Sequence, residues 1–265
     1  MKTNEVFDIK RFTLLFRQNL IHHYRIILTS VIAVSGGIFI IIMFSHFMNQ
    51  FRPWGYQEFM STFMSLFIIL GIIYTGTAFP GLRSREKSYS FLLLPSSTLE
   101  KYLFEIVNRV LLFVIAFPIL YWIIFTVEGN LMRVLHPGFD FQNIGFFSEH
   151  APWENVSAAE KGWGIVILVN LVFMNFNVPF TGAVSFMKHP ILKTILALAI
   201  VVFFNLIVLW FLMKGLGFKD HMVDNHRFLF ISTKEQALTA GGIYTTLINL
   251  GLLAASYFKL KEKGA

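Results

Sequence analysis

Two stretches of this sequence, Ile26–Phe44 and Phe59–Phe79, contain no charged residue at all. Each matches the roughly 20 residues of helix needed to cross a hydrocarbon layer about 30 Å thick. Their apolar residues come in unbroken runs, not in the one-sided stripe of a soluble helix. Such runs require a solvent as apolar as themselves. The whole chain agrees: 55% of its residues are apolar and only 14% are charged, too few to cover a soluble domain of 265 residues.

Four further segments satisfy the same length criterion. Leu103–Thr126 carries Glu105 and Arg109 only in its first two turns, four residues apart and spaced for an intrahelical ion pair. Trp163–Phe186 contains Asn170, Asn175, Asn177 and Pro179, and the proline marks a point where this span can break. Ile191–Met213 and Ala237–Phe258 complete the set, with Asn205 and Asn249 inside them. The expected fold is therefore an all-α integral membrane protein with six transmembrane helices over 26–258 and both termini in the cytoplasm. The 31 phenylalanines fit helices that face lipid, and the absence of cysteine removes disulfides and thiolate metal sites.

Orientation follows from the basic residues. With the N-terminus inside, the inner pieces 1–25, 80–109, 187–193 and 259–265 hold fifteen of the 22 lysines and arginines. The outer side holds the other seven together with nine of the fifteen acidic residues. All four inner pieces are basic, as the positive-inside rule demands. This distribution assigns the net charge of +7 to membrane orientation and away from nucleic acid. The chain is expected as a multi-pass protein of the cytoplasmic (inner) membrane.

The first 25 residues do not read as a signal peptide, since Glu5 and Asp8 precede an apolar run long enough to span and no small-residue cleavage site follows. Phe7, Phe12, Leu15, Phe16, Leu20 and Ile21 fall near one helical face, with Lys10, Arg11, Arg17 and Gln18 mostly on another. That pattern predicts an amphipathic interfacial helix over 1–25 leading into the first span, the alternative being a cytoplasmic extension of the first helix. At the other end, 259–265 is a basic cytoplasmic tail. The outer loops 127–161 and 214–236 are long, and the aromatics of the first predict short helices on the membrane face.

The cytoplasmic loop 81–102 is the most informative segment. Arg83, Arg85 and Lys87 lie just inside the membrane, followed by a short apolar stretch with Tyr89, Phe91, Leu93 and Leu94. Pro95 stops it, and Ser97 with Glu100 has the spacing of a capping box that opens the third helix. A short amphipathic helix ending on a capped turn is a rigid knob suited to passing force from a soluble partner to the helices.

The run Arg83-Ser-Arg-Glu-Lys-Ser-Tyr-Ser-Phe-Leu-Leu-Leu-Pro-Ser-Ser-Thr-Leu-Glu-Lys101 resembles the first cytoplasmic loop of ABC transporter permeases of the second exporter type. The lead-in Phe7-Asp-Ile-Lys-Arg-Phe12 is similar to that family's amphipathic entry helix, and six spans with the N-terminus inside match its layout. The long acidic outer loop 127–161 departs from it, because many members place their main outer elaboration between the last two spans. The resemblance implies a permease subunit whose coupling helix docks on a separate ATPase subunit, working as a homodimer or heterodimer of permease chains. Partner docking then falls to Arg83, Arg85, Lys87, Tyr89, Phe91, Leu93, Leu94, Pro95, Ser97 and Glu100. The chain has no Gly-x-x-x-x-Gly-Lys-Ser/Thr, so ATP and magnesium are expected on the partner, with no cofactor on this chain.

Polar residues inside spans are the usual markers of a pathway. Asn170, Asn175, Asn177, Asn205 and Asn249 are the candidates, and the competing account is that their amides bond neighbouring helices. The small pairs Ala33/Gly37 and Gly242/Thr246 are spaced for close helix approach. His221, Asp224 and His226, with His136 and His150 on the other outer loop, are weak metal candidates, because their spacing fits no helical ligand pair. No catalytic motif is present, so the chain is expected not to be an enzyme. Two alternatives stand beside the permease: a membrane-embedded enzyme using the outer histidines, and a non-transporting multi-span scaffold.

Overall fold

The computed structural model describes residues 7–83, 96–136, 138–139, 141–146, 157–186, 188–215 and 234–264, with backbone alone for 158, 201–202, 204–206, 208–215, 234, 237 and 264. The described residues are helical throughout their long elements and contain no strand. Five helices among them are long and apolar enough to cross a membrane: Ile9–Met48, Tyr56–Gly76, Thr98–Leu135, Ala159–Ser185 and Leu238–Lys263. The chain is an all-α, multi-pass membrane protein. We number the helices α1 (Ile9–Met48), α2 (Tyr56–Gly76), α3 (Thr98–Leu135), α4 (Ala158–Ser185), α5 (Pro190–Gly215) and α6 (Lys234–Gly264).

Helix α1 starts where Asp8 caps it, the carboxylate accepting from the Lys10 N–H at 2.8 Å. Neither glycine nor proline occurs from Ile9 to Ser35, so nothing interrupts it. Entry segment and first span are thus one 40-residue helix, with no break at Arg25–Ile26. At 1.5 Å per residue it is about 60 Å long, twice the hydrocarbon thickness. It ends in a left-handed corner, Gln50 (φ 53°) and Phe51 (φ 57°), where the Phe51 N–H reaches the His46 carbonyl at 2.8 Å.

Helix α3 opens on the anticipated capping box of Ser97 and Glu100. It continues through a π-turn at Val107–Leu111 and past Pro118 to Leu135. Glu105 and Arg109 form the expected pair at 3.5 Å, beside that turn. The outer loop is accordingly shorter than 127–161, because helix fills its first nine residues and resumes at Ala158. A second capping box, Ser157 with Glu160, opens α4. Pro179 does not break α4, which continues to Ser185. A proline inside a packed span costs one hydrogen bond, and neighbouring helices can absorb it. Helix α5 covers the fifth expected span, and α6 runs on through most of the basic tail 259–265.

The chain divides into two compact units, Met1–Gly71 with Pro95–Pro152, and Ile72–Leu94 with Trp153–Ala265. The first is held by aromatic rings between α2 and α3. Phe59 and Phe63 each lie 5.3 Å from Tyr121, and Phe67 lies 5.7 Å from Phe117 and 5.5 Å from Phe113. The Tyr121 hydroxyl donates to the Phe59 carbonyl at 3.2 Å. Many phenylalanines therefore face protein, where offset and edge-to-face pairs add to packing. Gly129 lets Phe141 of the outer loop lie flat on α3, since a Cβ there would run into the ring.

The glycines give a direct test of this packing. Gly129→Ala is expected to destabilise by about 1–3 kcal/mol through overpacking against Phe141. Gly36→Ala, whose Cβ meets nothing within 4 Å, is expected to stabilise by about 0.5–1 kcal/mol. Thermal unfolding of both variants in detergent measures the difference.

Candidate functional site

Of the proposed docking residues, the structure describes Arg83, Ser97 and Glu100; Arg85, Lys87, Tyr89, Phe91, Leu93, Leu94 and Pro95 lie outside the described residues. Arg83 ends a 3-10 turn, Pro80–Arg83, and reaches back to the Gly76 carbonyl at 3.4 Å. Near the end of this loop, Glu100 does more than cap its own helix. Its Oε2 accepts from the Ser97 N–H at 2.8 Å, and its Oε1 accepts from the Asp8 N–H at 2.8 Å and pairs with Arg11 at 3.2 Å. Glu100 is fully buried. One carboxylate thus joins the first turn of α1 to the first turn of α3. Both helix starts present unsatisfied N–H groups and a positive dipole end, so a shared anion is stabilised there. Phe16 against Phe104, with centroids 4.8 Å apart, extends the junction by two turns.

A second buried junction lies near the other end of the same two helices. His46 Nδ1 and Glu128 Oε1 are 3.0 Å apart, with the side chains 1% and 0% exposed. Trp54 and Phe139 cover the imidazole at centroid distances of 4.9 and 5.2 Å. His46 Nε2, Glu128 Oε2 and Trp54 Nε1 are buried without a hydrogen-bond partner. Nothing in the residue spacing points to this pair, because its members are 82 positions apart and Glu128 reads as one of several loop acids. The signal available was a lone histidine at the end of an uncharged run.

The span asparagines fall into separate groups. Asn170, Asn177 and Asn249 come together between α4 and α6. The Asn249 amide donates to Asn170 Oδ1 at 3.1 Å and to the Asn170 carbonyl at 2.8 Å. Asn177 donates to Asn249 Oδ1 at 2.8 Å, and Asn170 to Thr246 Oγ1 at 3.0 Å. Gly242, whose Cβ would stand 2.7 Å from Trp163, lets the helices close. Small residues and amide bonds are how helices associate in lipid, where apolar surface gives no net drive. Asn175 sits apart, exposed, bonded to the Leu171 carbonyl of its own helix. The Asn205 side chain lies outside the described residues, as do His221, Asp224, His226 and His150. His136 rests on the Phe51 ring at 4.0 Å. Among the described residues no three His, Cys, Asp or Glu side chains could hold a metal ion together.

No protein-family model, curated protein or solved structure matches this chain. The class defined by its helices is a multi-pass, all-α membrane protein.

The His46–Glu128 junction yields a quantitative expectation. Glu128→Leu should cost about 3–5 kcal/mol, because it strands His46 in the interior, whereas the double replacement His46→Phe with Glu128→Leu should recover most of that loss. Unfolding of the two single variants and the double variant in detergent measures the coupling.

Proposed function

We propose that this chain is the membrane-spanning permease subunit of an ATP-driven exporter, with six spans, both termini cytoplasmic, and ATP hydrolysed on a separate subunit. The observation that carries the reading is the Glu100 junction. It lies directly after the basic and apolar residues 83–95 of the loop that resembles a coupling helix, and it binds the start of α1 to the start of α3. A push on that loop reaches Ser97 within two residues of Pro95 and passes through Glu100 to two helices at once. The span this reading adds to the five long apolar helices is α5, a 26-residue helix over the apolar segment 191–213. The work of moving substrate comes from a partner that alternates with its nucleotide, shifting the helices between two packings. The permease chains work in pairs, one ATPase to each.

Replacing Leu93 and Leu94 by Asp, with Pro95 unchanged, is expected to leave membrane insertion intact and abolish ATP-driven transport. Transport at the wild-type rate in that variant would remove the coupling assignment.

A further inference from the structure

Helix α1 rests on α3 at its two ends and is bare between them. The lower contact is the Glu100 junction with Phe16 on Phe104. The upper one buries Ile38, Ile42 and His46 on α1. Between them, all fourteen residues from Leu20 to Ala33 are exposed. A helix packed on any one side hides a residue every three or four positions, so among the described residues of its own unit nothing packs against this stretch. Since both ends of one unbroken helix touch α3, the bare stretch and α3 bound an open window roughly 21 Å long.

The walls of that window are apolar and its lower rim is basic. Ile26, Ile27, Leu28, Val31 and Ile32 are exposed on α1; elsewhere on its surface α3 exposes Leu111, Leu112 and Ile115, which lie between the two junctions in sequence. At the top, a Cβ on Gly36 or Gly37 would meet nothing within 4 Å. At the bottom, the Arg25 Nε–H donates to the Tyr24 hydroxyl at 2.9 Å, which fixes the side chain and leaves its two terminal amino groups for an outside acceptor. Arg17, His22 and His23 lie within two turns, and no acidic residue occurs from Ile9 to Gln57. An apolar slot ending in a guanidinium, inside a membrane, matches a molecule with an acyl chain and a phosphate.

We propose that the window between α1 and α3 is a binding site for one anionic phospholipid. Its acyl chain lies along Ile26–Ala33 and its phosphate is held by Arg25. The orientation proposed above enters only in assigning this lipid to the inner leaflet.

Native mass spectrometry of the delipidated chain in detergent, with added phosphatidylglycerol or phosphatidylcholine of identical acyl chains, tests the site. Wild type is expected to retain one phosphatidylglycerol in preference to phosphatidylcholine. Arg25→Gln should lower phosphatidylglycerol retention about fivefold, the ratio given by the ~1 kcal/mol contributed by one basic residue at an anionic surface, and leave phosphatidylcholine unchanged. Arg25→Lys keeps the charge and serves as the folding control. Gly37→Leu adds bulk just above the bare stretch, where a Cβ meets nothing within 4 Å, and should lower retention of both lipids. Equal retention of the two lipids by wild type, or retention insensitive to both Arg25→Gln and Gly37→Leu, would overturn the site. So would efficient crosslinking between copies through Ile27→Cys, the sole cysteine of that variant, since a second chain would then cover the face. None of these measurements needs an ATPase, so the lipid site and the exporter reading stand or fall separately.

Discussion

A single buried carboxylate, Glu100, fixes how the first unit can be assembled. It is fully buried, and three groups converge on it: the N–H of its own helix cap, the N–H at the start of α1 and the Arg11 guanidinium. Burying an anion is tolerable only when it is paired and hydrogen-bonded. Those partners come from two helices 92 positions apart in sequence, so Glu100 is satisfied only when both helix starts are side by side. The π-turn and the Glu105–Arg109 pair follow one to two turns further on, and the second junction, His46 with Glu128, sets the opposite ends. Between these points α1 is free, and its length exceeds what a perpendicular crossing needs.

The two units solve the same problem with different chemistry. Lipid tails are as apolar as leucine, so apolar side chains alone do not draw helices together in a bilayer. The first unit uses buried ionisable pairs and a ladder of aromatic rings from Phe59 to Phe113. The second uses amides and small residues: Asn170, Asn177, Asn249 and Thr246 close a hydrogen-bonded seam, and Gly242 admits the Trp163 ring. At the end of this pair of helices Lys263 donates to the Val184 carbonyl, satisfying one of the last acceptors of α4.

What the sequence disclosed divides along the range of the interactions. Uncharged runs located the long helices, because the thickness of a bilayer is a one-dimensional constraint that a run of residues reports directly. The box of Ser97 and Glu100 and the pair of Glu105 and Arg109 were legible for the same reason, each being local to one helix. The asparagines announced interhelical bonding by type, but not which of them would meet; Asn175 points away from the seam that Asn170 and Asn177 form. The His46–Glu128 pair, the reach of Glu100 to Asp8 and the bare middle of α1 depend on tertiary placement, and no spacing encodes them. Helix ends were the least legible. Proline and polar residues at Pro179 and after Thr126 suggested stops that the packed helices pass through.

The exporter reading makes this chain half of a machine, and its most direct test is to find the other half. The protein is purified from its native membranes in mild detergent, with crosslinking, and its companions are identified by mass. A stoichiometric ATP-binding subunit that is lost when the 83–94 loop is replaced is the predicted result. A homogeneous preparation of this chain, active or not, with no ATPase retained through crosslinking, would contradict the account.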